Sequence, residues 1–315
     1  MKRFFLPGLL ACTVFFSPGP VLAGSEKFSF GVIAHAFAST SDESALINMI
    51  AEADAENLAF VVANGIKSKT EPCSDQVYNR RKALFEDAQH GLVLSLAASD
   101  WVDCRRNDGR SAAIERLNRI RDLFFVGEFS FGSTRIPLVR QSLTPKFRSY
   151  GENARWAMRD VMFATINLPA NNNHFLSAAG RNSEFEDRMV ANRIWLQQLF
   201  NAATRKNLKA VVIFCDGNPS SKPIASSLFG QSGNRDGFAE IRRQIGALGS
   251  KFRGKVLVIH GQARLDTAAP KNIAWRNNVG NLEAGSGWIK LTVDPSLPTL
   301  FAITNHSSTQ KNPLK

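Results

Sequence analysis

Leu58-Ala-Phe-Val-Val-Ala63 and Leu92-Val-Leu-Ser-Leu-Ala97 are two short apolar runs, and the way the chain passes from one to the other decides the fold. Each is uncharged, rich in Val, Leu and Phe, and of the length of a buried β-strand. Between them lie a polar loop and a helix-type stretch near 76–88, with Val77, Tyr78, Leu84 and Phe85 on its inward side. Each run opens into a loop with one cysteine: Pro72-Cys73-Ser74-Asp75 after the first, Trp101-Val102-Asp103-Cys104 after the second. Strand, loop, helix, strand, loop is a βαβ unit. A right-handed crossover sets its strands parallel and both loops at one sheet edge, where α/β proteins bind ligands.

The alternation continues on both sides. Phe28 to Ala34 reads as a first strand ending in His35-Ala-Phe37, and Thr40-Ser-Asp-Glu43 as a capping box for a helix with Leu46, Ile47, Ile50 and Ala51 on one face. Asn107-Asp-Gly109 is a turn before a helix over 111–124. Residues 126–158 read as an irregular insertion, held to the body by Phe129, Phe131, Phe147, Tyr150 and Trp156. Strands at 161–167, 209–215 and 255–260 alternate with helices at 183–206 (capping box Ser183-Glu-Phe-Glu186) and 237–249. Strands at 287–293 and 299–304 close the chain as an antiparallel pair, and 305–315 reads as a disordered tail. This order argues an α/β protein with a mixed sheet or two sheets.

The net charge of +12 and sequence pI near 9.9 permit an anionic partner. The basic residues are scattered, without a dense Lys/Arg block, so the partner expected is a small anionic or phosphorylated ligand and not nucleic acid.

Residues 1–23 read as a signal peptide: Lys2 and Arg3, an apolar run from Phe4 to Phe16, a break at Ser17-Pro-Gly-Pro20, and Val21-Leu22-Ala23 before Gly24. Cleavage is expected after Ala23. Leu9-Leu-Ala-Cys12 is the rival, as a lipoprotein site. Residues 24–304 then form one exported domain, periplasmic or extracellular, and no later run is long and apolar enough to span a membrane. Export leaves Cys73, Cys104 and Cys215. In an oxidising compartment two cysteines on neighbouring loops pair more readily with each other than with a metal, so Cys73 and Cys104 are expected as a disulfide and Cys215, at the end of an apolar strand, as a buried thiol.

The loops after the six core strands collect His35, Asn64, Ser99, Asp100, Asp103, Asn171, Asn172, His174, Asp216, Asn218, His260 and Gln262. Asp, Asn and His at successive strand ends are what a di-metal phosphoesterase uses to clamp two ions, activate water and neutralise phosphate charge. Each also has an ordinary reading. His35 and His260 can be hydrogen-bonded histidines, Asn171 to His174 and Asp216-Gly217 plain turns.

The chain resembles the calcineurin-like metallophosphoesterases, in particular a secreted bacterial branch. The likeness lies in Ile66-Lys67-Ser68 with Pro72-Cys-Ser-Asp75, Asp100-Trp-Val-Asp-Cys104, Glu152-Asn-Ala-Arg-Trp156, Phe163-Ala-Thr-Ile-Asn167 with Asn171-Asn-Asn173, Gly217-Asn218-Pro219 and Val258-Ile-His-Gly261. It implies a two-sheet α/β/β/α sandwich with helices on the outer faces and metals at the strand ends. Several family ligands are replaced. The opening Asp-x-His becomes His35-Ala-Phe37, the Gly-Asp of the second strand becomes Val62-Ala-Asn-Gly-Ile66, the third motif becomes Ala97-Ala98-Ser99-Asp100, and the closing pair becomes Gly261-Gln262-Ala263-Arg264. A later metal histidine is replaced by Asp216.

Two divalent ions bring four positive charges, and Arg264 at a ligand position repels them. The resemblance therefore leads to a largely degenerate, non-catalytic or ligand-binding member with no cofactor expected. Its pocket would be lined by His35, Asn64, Asp100, Asn171, Asn172, His174, Asp216, Asn218, His260, Gln262 and Arg264. The first alternative is an active phosphoester hydrolase with one Mn, Fe or Zn ion on His35, Asn64 and Asp216, with His35, Asp216 and His260 as catalytic candidates. The second is a cell-envelope interaction protein that uses 126–158.

Overall fold

The apolar runs form strands in the order and sense a βαβ unit requires. The computed structural model describes residues 26–34, 42–176, 182–221, 235–261, 272–285 and 287–307. Its elements are β1 (Phe28–Ala34), α1 (Asp42–Asp54), β2 (Val61–Asn64), α2 (Asp75–Glu86), β3 (Leu92–Ser95), α3 (Ala98–Trp101), α4 (Ala113–Phe124), β4 (Val139–Arg140), β5 (Ala154–Met158), β6 (Val161–Thr165), α5 (Ser183–Arg205), β7 (Ala210–Cys215), α6 (Ala239–Lys251), β8 (Lys255–His260), β9 (Ala274–Arg276), β10 (Val279–Glu283), β11 (Gly287–Val293) and β12 (Phe301–Ser307).

Two mixed sheets result, ordered β12-β11-β1-β2-β3 and β4-β5-β6-β7-β8-β10-β9. In the first, β1, β2 and β3 are parallel, with β11 antiparallel to β1 and to β12. In the second, β6, β7, β8 and β10 are parallel, with β5 and β9 antiparallel to their neighbours.

Side-chain alternation sorts these strands into layers. Phe30, Val32, Phe60, Val62, Phe163, Val212, Phe214, Leu257 and Ile259 turn inward and form one core between the sheets. Their strand neighbours turn outward: Val61 and Ala63 meet Leu46, Tyr78, Phe85 and Leu117 of α1, α2 and α4, and Val211, Ile213, Val256 and Val258 meet Leu196, Leu199 and Ile241 of α5 and α6. The molecule is a two-sheet α/β sandwich with helices outside, as expected. Cys73 and Cys104 are disulfide-bonded with Cα atoms 5.8 Å apart, and Cys215 is a buried free thiol. Among the described residues no helix is long and apolar enough to cross a membrane.

Three expectations need correction. The stretch 126–158 is not wholly irregular: β4 and β5 lie in it, Phe131 pairs with Leu92, and Trp156 stacks on Phe163 in the inter-sheet core. Its short strands are interrupted by Gly and Pro, which hides their period from sequence reading. β12 runs to Ser307, so residues 305–307 belong to a strand and not to a disordered tail. Ser183 starts α5 but does not cap it. Asn182 holds the N-cap position, with its amide spent on both backbone groups of Leu176. The strands β9 and β10 had no apolar signature, because Asn277, Asn278, Gly280 and Asn281 break the run. Residues 1–23, read from the sequence as a signal peptide, and Thr40 lie outside the described residues.

Candidate functional site

The parallel strands of both sheets end at one edge, and Asp216 stands where the two sheets meet. It follows β7 and is 4% exposed. Its Oδ2 accepts hydrogen bonds from the backbone amides of Ala98 (2.7 Å) and Ala170 (2.8 Å), and the Asn64 side chain at the end of β2 donates to it as well. Burial pushes the Asp216 pKa up to about 6, against the pull of those donors. Gly261 closes the same contact: a β-carbon there would fall on the Asn64 amide nitrogen and lie 3.3 Å from Asp216 Oδ1. The space behind Asn64, lined by Val62, Phe214, Cys215 and Ala284, has no room for a water molecule. Asn64 Oδ1 and Ser95 Oγ, at paired positions of β2 and β3, are buried without hydrogen-bond partners.

Asp100 is fully buried one loop away. Its Oδ1 accepts from the amides of Ile66 (2.7 Å) and Lys67 (3.2 Å) and its Oδ2 from Ala97 (2.8 Å). It therefore ties the loop after β2 to the short helix α3 after β3. Burial raises its pKa to about 7, opposed by the three amides and by Lys67. Lys67 is itself buried, donates to the carbonyls of Ser68 and Glu71, and is held below the ordinary lysine value by burial, against the attraction of Asp100.

His260 faces away from this junction. Leu257 and Ile259 point between the sheets, so the alternation of β8 carries His260 to the helical side. There Nε2 meets Asn281 Oδ1 at 3.0 Å, and Asn281 Nδ2 donates to Asn218 Oδ1 at 3.2 Å. Asn281 was not among the candidates read from the sequence. The parity of Leu257, Ile259 and His260 was the available signal that this histidine leaves the inter-sheet face.

The asparagine loop enters a second polar network. Asn172, Asn173 and His174 all have positive φ (45°, 55° and 53°), which asparagine tolerates best. Asn172 bonds Arg235 and Gly237, and Asn171 is exposed. Asn173 Oδ1 and its carbonyl accept from Arg188, fully buried under the Trp101 ring at 5.8 Å. Glu184 receives Arg188 Nε (2.6 Å) and pairs with His174 Nδ1 (3.0 Å). Burial works to raise the Glu184 pKa, but Arg188 and His174 hold it down at about 2. Nearby, Arg121 forks onto Glu152, which also accepts from Asn167, while Asn153 bridges Gln141, Asn192 and the Asn167 amide. The motifs Glu152-Asn, Thr165-Ile-Asn167 and Asn171-Asn-Asn173 thus converge in space, chiefly on each other. Arg188 and Glu184, hidden inside a helix pattern, went unread in the sequence.

The structure therefore brings Asn64 and Asp216 together with the Ala98 amide. It sends His260 and Asn218 to the outer face and gives Asp100, Asn172 and His174 partners in the loops. His35, Gln262 and Arg264 lie outside the described residues. Among the described residues no three His, Cys, Asp or Glu side chains gather as ion ligands. Asp216 and Asp100 already accept amide protons, so the described donors do not fit a pair of divalent ions. No family model and no curated protein matches the chain.

Proposed function

We propose that the protein is an exported member of the calcineurin-like metallophosphoesterase class whose strand-end site has become non-catalytic. The two-sheet sandwich, the disulfide and the convergence of the motifs around Asn153, Asn167 and Asn173 support the class. One observation carries the loss of catalysis: Asp216, at the position of a metal ligand, spends its carboxylate on the amides of Ala98 and Ala170 and on Asn64. A carboxylate so engaged joins loops, whereas a metal ligand must present free lone pairs to the ion. The hydrolase reading with a single ion draws on Asn64 Oδ1, a buried oxygen without a partner beside Asp216.

Purified mature chain, analysed for Mn, Fe and Zn and assayed on an aryl phosphoester, separates the two. The non-catalytic reading expects neither stoichiometric metal nor turnover. Bound metal together with turnover that disappears in His35→Ala would overturn it.

A further inference from the structure

A concave groove of about 700 Å³ lies between the β4–β5 edge and the last turns of α5, with neither Asn64 nor Asp216 in its lining. A second cavity of about 310 Å³ shares Val139, Arg155 and Arg205 with it and adds Lys206. No acidic side chain lines either cavity. Arg155, Arg205 and Lys206 form no ion pair among the described residues, whereas Arg81, Arg121, Arg188 and Arg242 each hold a carboxylate.

Arg155 is also fixed in place. Trp156 turns into the inter-sheet core, so alternation along β5 aims Arg155 at α5. There its guanidinium lies 5.4 Å over the Trp195 ring and Nη1 donates to the carbonyl of Gln198 at 3.1 Å. Trp195 is itself held by Nε1 donating to the carbonyl of Thr165 at 3.2 Å. Burial and the neighbouring Arg205 both disfavour the charge on Arg155. Two guanidiniums are thus brought near one another with no counter-ion between them. The negative end of α5, about half a unit charge, offsets only part of this. The rest of the wall mixes neutral hydrogen-bonding groups, Gln198, Asn201 and Thr204, with apolar Leu143 and with Arg140, whose guanidinium donates to the carbonyls of Gly127 and Gly151.

We propose that this groove binds a small oxyanion carried on a polyhydroxylated body, a phosphorylated or carboxylated saccharide. The pre-set arginine fork takes the phosphate or carboxylate oxygens. The amides and the threonine hydroxyl suit sugar hydroxyls, and the volume lies in the range of small-molecule sites. The site does not depend on the fate of the strand-end junction.

The test is calorimetric titration of the mature chain at low salt with glucose 6-phosphate, glucuronate, inorganic phosphate and glucose. At least one sugar anion is expected to bind, tighter than inorganic phosphate, with no heat from glucose. Preference for the phosphate or for the uronic acid identifies which oxyanion the fork takes. Arg205→Gln, at an exposed helix end where folding is not at risk, should weaken binding about tenfold or more, while Arg243→Gln, which lines neither cavity, should leave it unchanged. Inorganic phosphate bound as tightly as the sugar anions, binding of glucose itself, absence of binding by both sugar anions, or wild-type affinity in Arg205→Gln would each overturn the proposal.

Discussion

The carboxylate of Asp216 accepts a 2.7 Å hydrogen bond from the amide of Ala98, 118 residues earlier in the chain. Asp216 follows a strand of the seven-stranded sheet and Ala98 a strand of the five-stranded sheet, so this bond joins the two halves of the sandwich at the strand ends. Asp216→Ala strands the buried amide of Ala98 and the part-buried amide of Ala170. Each unsatisfied donor costs about 1–3 kcal/mol, so a loss of roughly 2–4 kcal/mol is expected. Urea unfolding measures it, and a variant as stable as the parent would show that the bond does not hold the junction.

The same burial makes stability fall as the solution turns neutral. Folding raises Asp216 from an ordinary 3.8 to about 6 and Asp100 to about 7. Between the unfolded and folded values the folded chain holds more protons, so both groups favour the fold in acid and that contribution is lost as pH rises through about 6 and 7. Glu184 works in the opposite sense. Held at about 2, it favours the fold above its ordinary value and loses this as pH falls toward 2. Stability is therefore expected to peak near pH 4, with a higher urea midpoint at pH 5 than at pH 8. Asp100→Asn combined with Asp216→Asn should flatten the slope. Midpoints that climb from pH 5 to pH 8 would contradict the sign.

Period decided how much of this was legible. The strands at 58–63, 92–97, 209–215 and 255–260 announced themselves as uncharged apolar runs, and their alternation with helices gave the layers. The cysteines could be paired because the βαβ unit brings their loops to one edge. The site was legible only as a set of residue types. Asn64 and Asp216 do meet, but their meeting depends on how two sheets are stacked, which no local pattern carries. His260 is a ligand by residue type, but its parity on β8 turns it to the helical side, where it meets Asn281. Arg188 and Glu184 stand in the first turns of a helix like any surface ion pair, and only the packing of Trp101 above them makes them interior.

The disulfide sets the stability of the loops that frame this edge. Cys73 and Cys104 are 31 residues apart, and a loop of that size confers roughly 3–4 kcal/mol on the chain-entropy model. A Cys73→Ala, Cys104→Ala variant should unfold at lower urea by a corresponding amount and no longer respond to reductant. If reductant lowers the midpoint of that variant as much as that of the parent, the stabilisation comes from elsewhere.

Gly261 tests the closeness of the junction most directly. It follows β8, and a β-carbon at this position would overlap the Asn64 amide nitrogen, which is donating to Asp216. Gly261→Ala must therefore push Asn64 off Asp216 or spread the sheets, and overpacking of this kind costs about 1–3 kcal/mol. If steric conflict with Asn64 is the cause, Asn64→Ala opens the room the new methyl needs. The double variant should then lose less than the sum of the two single losses, with a coupling of about 1 kcal/mol or more in a double-mutant cycle. Additive losses would mean that Gly261 is required for its own backbone and not for the approach of Asn64 to Asp216.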